Sequence, residues 1–135
     1  MKNVLLLSAG SPCRAILAEE ILKKYVDKDL NINFIGAGLE SNNTINKNAM
    51  KILKEEGIDV RNLTPITLND IEESDFDLIF TICSHSREIC PKFPRVIPTI
   101  HMDFPIIDKE DEATCKALAH RIKTKIKPII LKNIE

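Results

Sequence analysis

The chain has no excess of charge of either sign: 19 Lys and Arg stand against 20 Asp and Glu, for a net charge of −1 at pH 7. That balance withholds the basic footprint of a nucleic-acid binder, and the locally basic Lys123-Thr124-Lys125-Ile126-Lys127 reads as the solvated face of a terminal helix. No apolar run is long enough to span a bilayer, and the apolar part of Met1-Lys2-Asn3-Val4-Leu5-Leu6-Leu7 is too short for a secretory signal. The expectation is a cytoplasmic protein with neither a membrane nor a nucleic acid as partner. Internal repeats, low-complexity tracts and linkers are also missing, so 135 residues suit one domain over residues 1–135. Zinc-type spacing is lacking too: Cys83 and Cys90 are seven apart, and His85 between them has no matching ligands. Neither a metal nor a cofactor is expected.

What is present alternates strand and helix. Asn3-Val4-Leu5-Leu6-Leu7 is a β run, and residues 12–26 repeat Ile16, Leu17, Ile21, Leu22 and Val26 at helical spacing. A second strand is expected at Ile32-Asn33-Phe34-Ile35-Gly36 and a helix over about residues 46–56, stopped by Gly57. Residues 68–73 read as a short helical turn, residues 76–82 as a third strand, and residues 95–101 as a fourth that Pro98 confines to a sheet edge. Residues 108–133 are helical by pattern, with Leu118, Ile122, Ile126 and Ile130 as an i, i+4 stripe that Pro128 should kink or divide. This order predicts an α/β domain: a three-layer, four-stranded parallel sheet with helices on both faces. Ligands of such sheets bind beyond the carboxyl ends of the strands.

Ser8-Ala9-Gly10-Ser11-Pro12-Cys13-Arg14 falls at such an end. Between a strand and a helix, the free backbone N–H groups of Ala9, Gly10, Ser11 and Cys13 converge, and the helix dipole adds roughly +0.5 charge. A tetrahedral oxyanion is favoured there, with Arg14 as a bidentate donor. An ordinary βα turn with a surface arginine is the equal alternative on this segment alone. Cys13, Cys83 and Cys90 suit redox or catalytic thiols in a reducing compartment, and Cys115, near Leu118, suits packing. His101 falls at a strand end that can border the site, while His85 and His120 read as surface side chains.

Nearly end to end, the chain resembles the thioredoxin-coupled arsenate reductases, which share the low-molecular-weight protein tyrosine phosphatase fold. The resemblance rests on Ser8 to Arg14, Gly36-Ala37-Gly38-Leu39-Glu40, Asn46-Lys47-Asn48-Ala49-Met50 and Gly57-Ile58-Asp59-Val60. It continues through Asp75-Phe76-Asp77-Leu78, Cys83 with Cys90-Pro91, and His101-Met102-Asp103-Phe104-Pro105. The spacing of Cys83 and Cys90 marks the reductase branch. The resemblance implies that a cysteine at position 8 attacks arsenate held by the loop amides and Arg14. Cys83 then attacks that cysteine, releasing arsenite, and Cys90 resolves the bond to leave a disulfide for thioredoxin. Catalytic roles therefore map to Ser8, Arg14, Cys83 and Cys90. A thiol at a helix N-terminus beside an arginine has its pKa lowered from about 8.5 to roughly 3.5–7.5.

The departures from that pattern cluster at the site. Ser8 is an alcohol without an evident neighbouring base and cannot perform sulfur redox chemistry. Pro12 removes a backbone donor, and Ser11 replaces a bracing asparagine. Where the family has an acid before a proline, this chain has Ile106-Ile107, flanked by Asp103 and Asp108. Of the positions matching a monovalent-cation site, Ser11, Glu19, Gly36 and Ile66, only Glu19 keeps a charged oxygen, so no cation is expected. A replaced cysteine would leave the rest of the pattern intact, as the surviving thiols do, whereas several departures together point to natural divergence. The reading is an arsenate reductase-type protein with Ser8 at the nucleophile position, taking arsenate or phosphate and, by resemblance, thioredoxin as partners. A non-catalytic oxyanion-binding or regulatory protein on the same fold is the alternative, and phosphomonoester hydrolysis the least supported.

Overall fold

Strand β1 (Lys2–Ser8) is buried without a break from Val4 to Ser8, as a strand covered on both faces must be. In the computed structural model, residues 2–8, 13–38, 47–61, 63, 66–71, 75–83, 96–103 and 112–134 are described, the side chains of Cys13 and Cys83 excepted. β1 is flanked by β2 (Ile32–Gly38) and β3 (Leu78–Cys83), and β4 (Thr99–Asp103) lies beyond β3. The sheet is parallel throughout, in the order β2-β1-β3-β4.

The period of two along the strands makes two cores. Val4 and Leu6 join Phe34, Leu78, Phe80 and Ile82 on one face, whereas Leu5 and Leu7 join Ala37 and Ile79 on the other. The first face is covered by α1 (Cys13–Tyr25), α2 (Lys47–Glu55), α3 (Glu112–Arg121) and α4 (Lys127–Asn133). Among the described residues, the second is covered by Ile71, Phe76 and the 3₁₀ turn Leu68–Asp70, completing the three layers expected. The turn is closed by the Asp70 carboxylate, which accepts from the Thr67 N–H at 2.9 Å and the Thr67 hydroxyl at 3.0 Å.

α2 ends where Gly57 predicts. Gly57 has φ +77°, its N–H donates to the Lys54 carbonyl and the Ile58 N–H to the Leu53 carbonyl, both at 2.9 Å. This is a Schellman closure, which a residue with a Cβ adopts only under strain. The stripe Leu118, Ile122, Ile126 and Ile130 is fully buried. Pro128 divides the last helix in a particular way: residues Ile122–Ile126 form a π turn in which the Lys127 N–H reaches back to the Ile122 carbonyl. Pro128 lacks an N–H and would collide with the carbonyl four residues before it in a regular α-helix, and the wider turn relieves both problems.

Some boundaries differ from expectation. The third strand begins at Leu78 rather than Phe76, because Asp77 is committed to Asn3: its N–H donates to the Asn3 carbonyl and its carboxylate accepts from the Asn3 N–H, each at 2.8 Å. The fourth runs Thr99–Asp103 rather than over residues 95–101. Pro98 has no donor, but its carbonyl accepts from the Ile79 N–H at 2.9 Å, so the ladder starts there and β4 is the edge strand. Val96 is fully exposed. The last helix begins at Glu112 among the described residues; residues 108–111 lie outside them.

Candidate functional site

The register of the sheet decides which site residues meet. Ser8 pairs with Gly38, Leu7 with Thr81, and Cys83 with Asp103, so Ser8 and Cys83 end adjacent strands at the carboxyl edge, with Gly38 and Asp103 on the outer strands. α1 begins at Cys13, five positions after Ser8, and Arg14 stands in its first turn. The Ser8 side chain is fully buried and Arg14 is only 4% exposed. A guanidinium so buried is a structural commitment, because charged groups leave water only where partners compensate. The start of α1, the positive end of its helix dipole, and the arginine therefore share one corner with the end of β1. Ala9, Gly10, Ser11 and Cys90 lie outside the described residues, as do Ile106 and Asp108. Cys13 and Cys83 are located by backbone alone.

Behind this corner, α1 is locked to β2. A Cβ added to Gly36 would lie 2.5 Å from the Ala15 carbonyl oxygen, so only glycine admits this approach. One turn on, Glu19 Oε1 accepts the Gly36 N–H at 2.8 Å, and Lys23 Nζ lies 3.6 Å from Glu19 Oε2 and 4.0 Å from Glu20 Oε1. Burial pushes the Glu19 carboxyl up to about 7, against the lowering effects of the Gly36 hydrogen bond and Lys23. The Gly38 N–H donates to the Ile66 carbonyl at 3.0 Å. Of the four positions matched to a cation site, Glu19, Gly36 and Ile66 thus follow one edge of β2, and Ser11 lies outside the described residues. No group of three or more His, Cys, Asp or Glu side chains suited to a metal occurs among the described residues. Cys115 is fully buried in the first core, consistent with packing.

Two further arrangements escaped sequence reasoning. Thr81 Oγ1 and His101 Nδ1 share a hydrogen bond of 2.8 Å between β3 and β4. At the opposite end of α1, the Tyr25 hydroxyl and Lys123 Nζ both donate to Glu56, and Lys123 lies 4.8 Å from the Tyr25 ring centroid. Burial pushes Glu56 up, but these two hydrogen bonds and the cation outweigh it and hold the carboxyl below its ordinary range. Among the described residues no helix is long and apolar enough to cross a membrane.

Residues 3–103 match the family model of the low molecular weight phosphotyrosine protein phosphatases. An arsenate reductase of Brevibacillus brevis is 36% identical over 107 residues, spanning 76% of this chain and 75% of that protein. Arsenate reductase 1 of Bacillus cereus is 34% identical over 107 residues with the same shares covered. Among solved structures, an arsenate reductase from Archaeoglobus fulgidus superposes with a TM-score of 0.80 at 23% identity, over 94% of this chain and 98% of that one. An arsenate reductase in the phosphate binding state gives 0.77 at 21%, over 98% and 99%. A thioredoxin-dependent arsenate reductase from Corynebacterium glutamicum gives 0.71 at 21%, over 98% of this chain and 63% of that one. The sheet order, the buried arginine beside the end of β1 and these likenesses agree: the chain belongs to the low molecular weight phosphotyrosine protein phosphatase family, and within it to the arsenate reductases.

Proposed function

We propose that this chain is an arsenate reductase-type protein that holds arsenate or phosphate in the loop of residues 8–14 and carries the thiol pair Cys83 and Cys90, with an alcohol where the first nucleophile would act. The observation that carries the reading is the placement of Ser8 and Cys83 on adjacent strands at one edge, beside a buried Arg14. In a complete relay, a thiolate at position 8 bonds to arsenic and water leaves. Cys83 then attacks that sulfur, and the electron pair of the breaking S–As bond departs with arsenite. Two thiols thereby supply the two electrons that take As(V) to As(III). Cys90 next attacks Cys83 and frees the first sulfur, leaving a disulfide that thioredoxin reduces by exchange. The Ser8 hydroxyl forms no disulfide and stays un-ionised near neutrality, so the relay halts before its first bond while the anion cradle remains.

The neighbour caught in a phosphate binding state supports an oxyanion as ligand, and the thioredoxin-dependent neighbour supports thioredoxin as reductant. The retained, buried Arg14 beside Ser8 equally favours a second reading, a non-catalytic oxyanion binder on the same fold. Thermal unfolding with added phosphate, sulfate or arsenate tests the cradle shared by both. The melting temperature should rise with dose, following mass action on the folded state, and Arg14→Ala should abolish the rise. A flat response in the unaltered chain would contradict both readings.

A further inference from the structure

We propose that a second copy of this chain docks on the outer edge of β2, the two β2 strands pairing antiparallel about a twofold axis at Asn33 to make one continuous sheet. The inference stands apart from the relay and needs neither the oxyanion nor the thiols.

The ladder shows which backbone groups of β2 face outward. The Asn31 carbonyl accepts the Lys2 N–H of β1 at 3.1 Å, and alternate residues of a strand turn their backbone groups to the same side. Asn33, Ile35 and Ala37 therefore bond β1, while Ile32, Phe34, Gly36 and Gly38 face away from it. The N–H groups of Gly36 and Gly38 are covered, by Glu19 Oε1 and by the Ile66 carbonyl. Among the described residues, no group bonds the outward N–H or carbonyl of Ile32 or Phe34. Two cavities of about 520 and 420 Å³ open along this stretch and share Glu20, Lys23 and Phe34 in their walls. β2 thus presents a short open edge of the kind that recruits another strand.

The register and the charges select the occupant. With Asn33 on the axis, Ile32 of one copy stands opposite Phe34 of the other, and the two residues exchange both N–H···O bonds, an arrangement that the symmetry repeats. Ile32 and Phe34 both pack on the α1 side of the sheet, so an aliphatic side chain meets an aromatic one across the seam. An axis at Phe34 would instead set Ile32 against Gly36, whose donor Glu19 already holds. Along the larger cavity the rim carries Glu20, Lys23, Lys24, Asp27 and Lys28. A rim of both signs suits a second copy of itself, because a twofold brings the acids of one copy toward the lysines of the other. A foreign peptide of one sign meets like charge on the same rim.

The test is the mass of the full chain by sedimentation equilibrium from about 10 μM to 1 mM, with amide hydrogen exchange followed by NMR over the same range. A dimer should form as concentration rises. The Ile32 and Phe34 amides should then slow by about tenfold once about nine-tenths of the copies are paired, since they exchange from the unpaired copy alone. A double variant, Lys24→Glu with Lys28→Glu, leaves Lys23 on Glu19 but makes the rim mostly acidic. Its dimer should weaken by about tenfold and recover in part with added salt. A monomer throughout the range overturns the proposal, whether or not that monomer takes up an extended peptide at this edge. So does a dimer whose Ile32 and Phe34 amides exchange as they do in dilute solution, or a folded double variant that dimerises undiminished. Should the double variant fail to fold, the exchange of the two amides in the unaltered chain still decides.

Discussion

Glu19 Oε1 accepts the backbone N–H of Gly36 at 2.8 Å, and by doing so caps a donor on the outer edge of β2. An edge strand with free donors invites pairing with another chain. The carboxylate closes that position at the cost of burying a charge, which is why its pKa stands near 7 rather than 4.5.

That shift has a sign in stability. A carboxyl group bound more tightly to its proton in the folded state stabilises the fold at low pH. This contribution is lost as pH rises from the unfolded value of 4.5 through the folded value of about 7. The difference corresponds to about 3 kcal/mol. Glu19→Gln keeps an acceptor for the Gly36 N–H without the charge, so it should remove the decline in stability between pH 5 and pH 7.5, measured by urea unfolding across about that range. An unchanged slope in the variant would assign the decline to another group.

Gly36→Ala tests the contact of α1 with β2. The added methyl meets the Ala15 backbone rather than a movable side chain, so the structure should lose about 1–3 kcal/mol. Because α1 also carries Arg14, the same substitution should weaken the oxyanion-dependent thermal shift. Full stability in Gly36→Ala would show that α1 sits farther from β2.

Glu56 gathers Tyr25 and Lys123 from separate helical segments at the end of the molecule away from Ser8. Glu56→Gln should destabilise the chain by about 1 kcal/mol at pH 7, since the group is partly solvated. A carboxyl with a lowered folded pKa contributes above its unfolded pKa and loses that contribution as pH falls through the folded one. The difference between parent and variant should therefore fade below about pH 4.5. Oxyanion binding should be unaffected, and thermal scans with and without phosphate check both points.

How much the sequence reveals follows the range of the interactions. The β1–loop–α1 unit and the buried Leu118, Ile122, Ile126 and Ile130 stripe are local periodicities and read directly. Pro128 announces a break, but not that a π turn would accommodate it, because that choice depends on how Ile122 and Ile126 pack. The β4 boundary shifted because a proline that cannot donate can still accept, a distinction visible only once Ile79 is opposite it. Resemblance marked Glu19 and Gly36 as positions but not as hydrogen-bond partners. Tyr25, Glu56 and Lys123 meet across 31 and 67 residues of chain, beyond any local pattern.

On the proposed reading, the thiol relay lacks its first nucleophile at Ser8 and keeps the thiols Cys83 and Cys90. The most direct measurement is thioredoxin-coupled, arsenate-dependent NADPH oxidation by this chain and by Ser8→Cys under identical conditions. Turnover confined to Ser8→Cys is the expected result. Silence in both, or turnover by the chain with Ser8 in place, would contradict the claim.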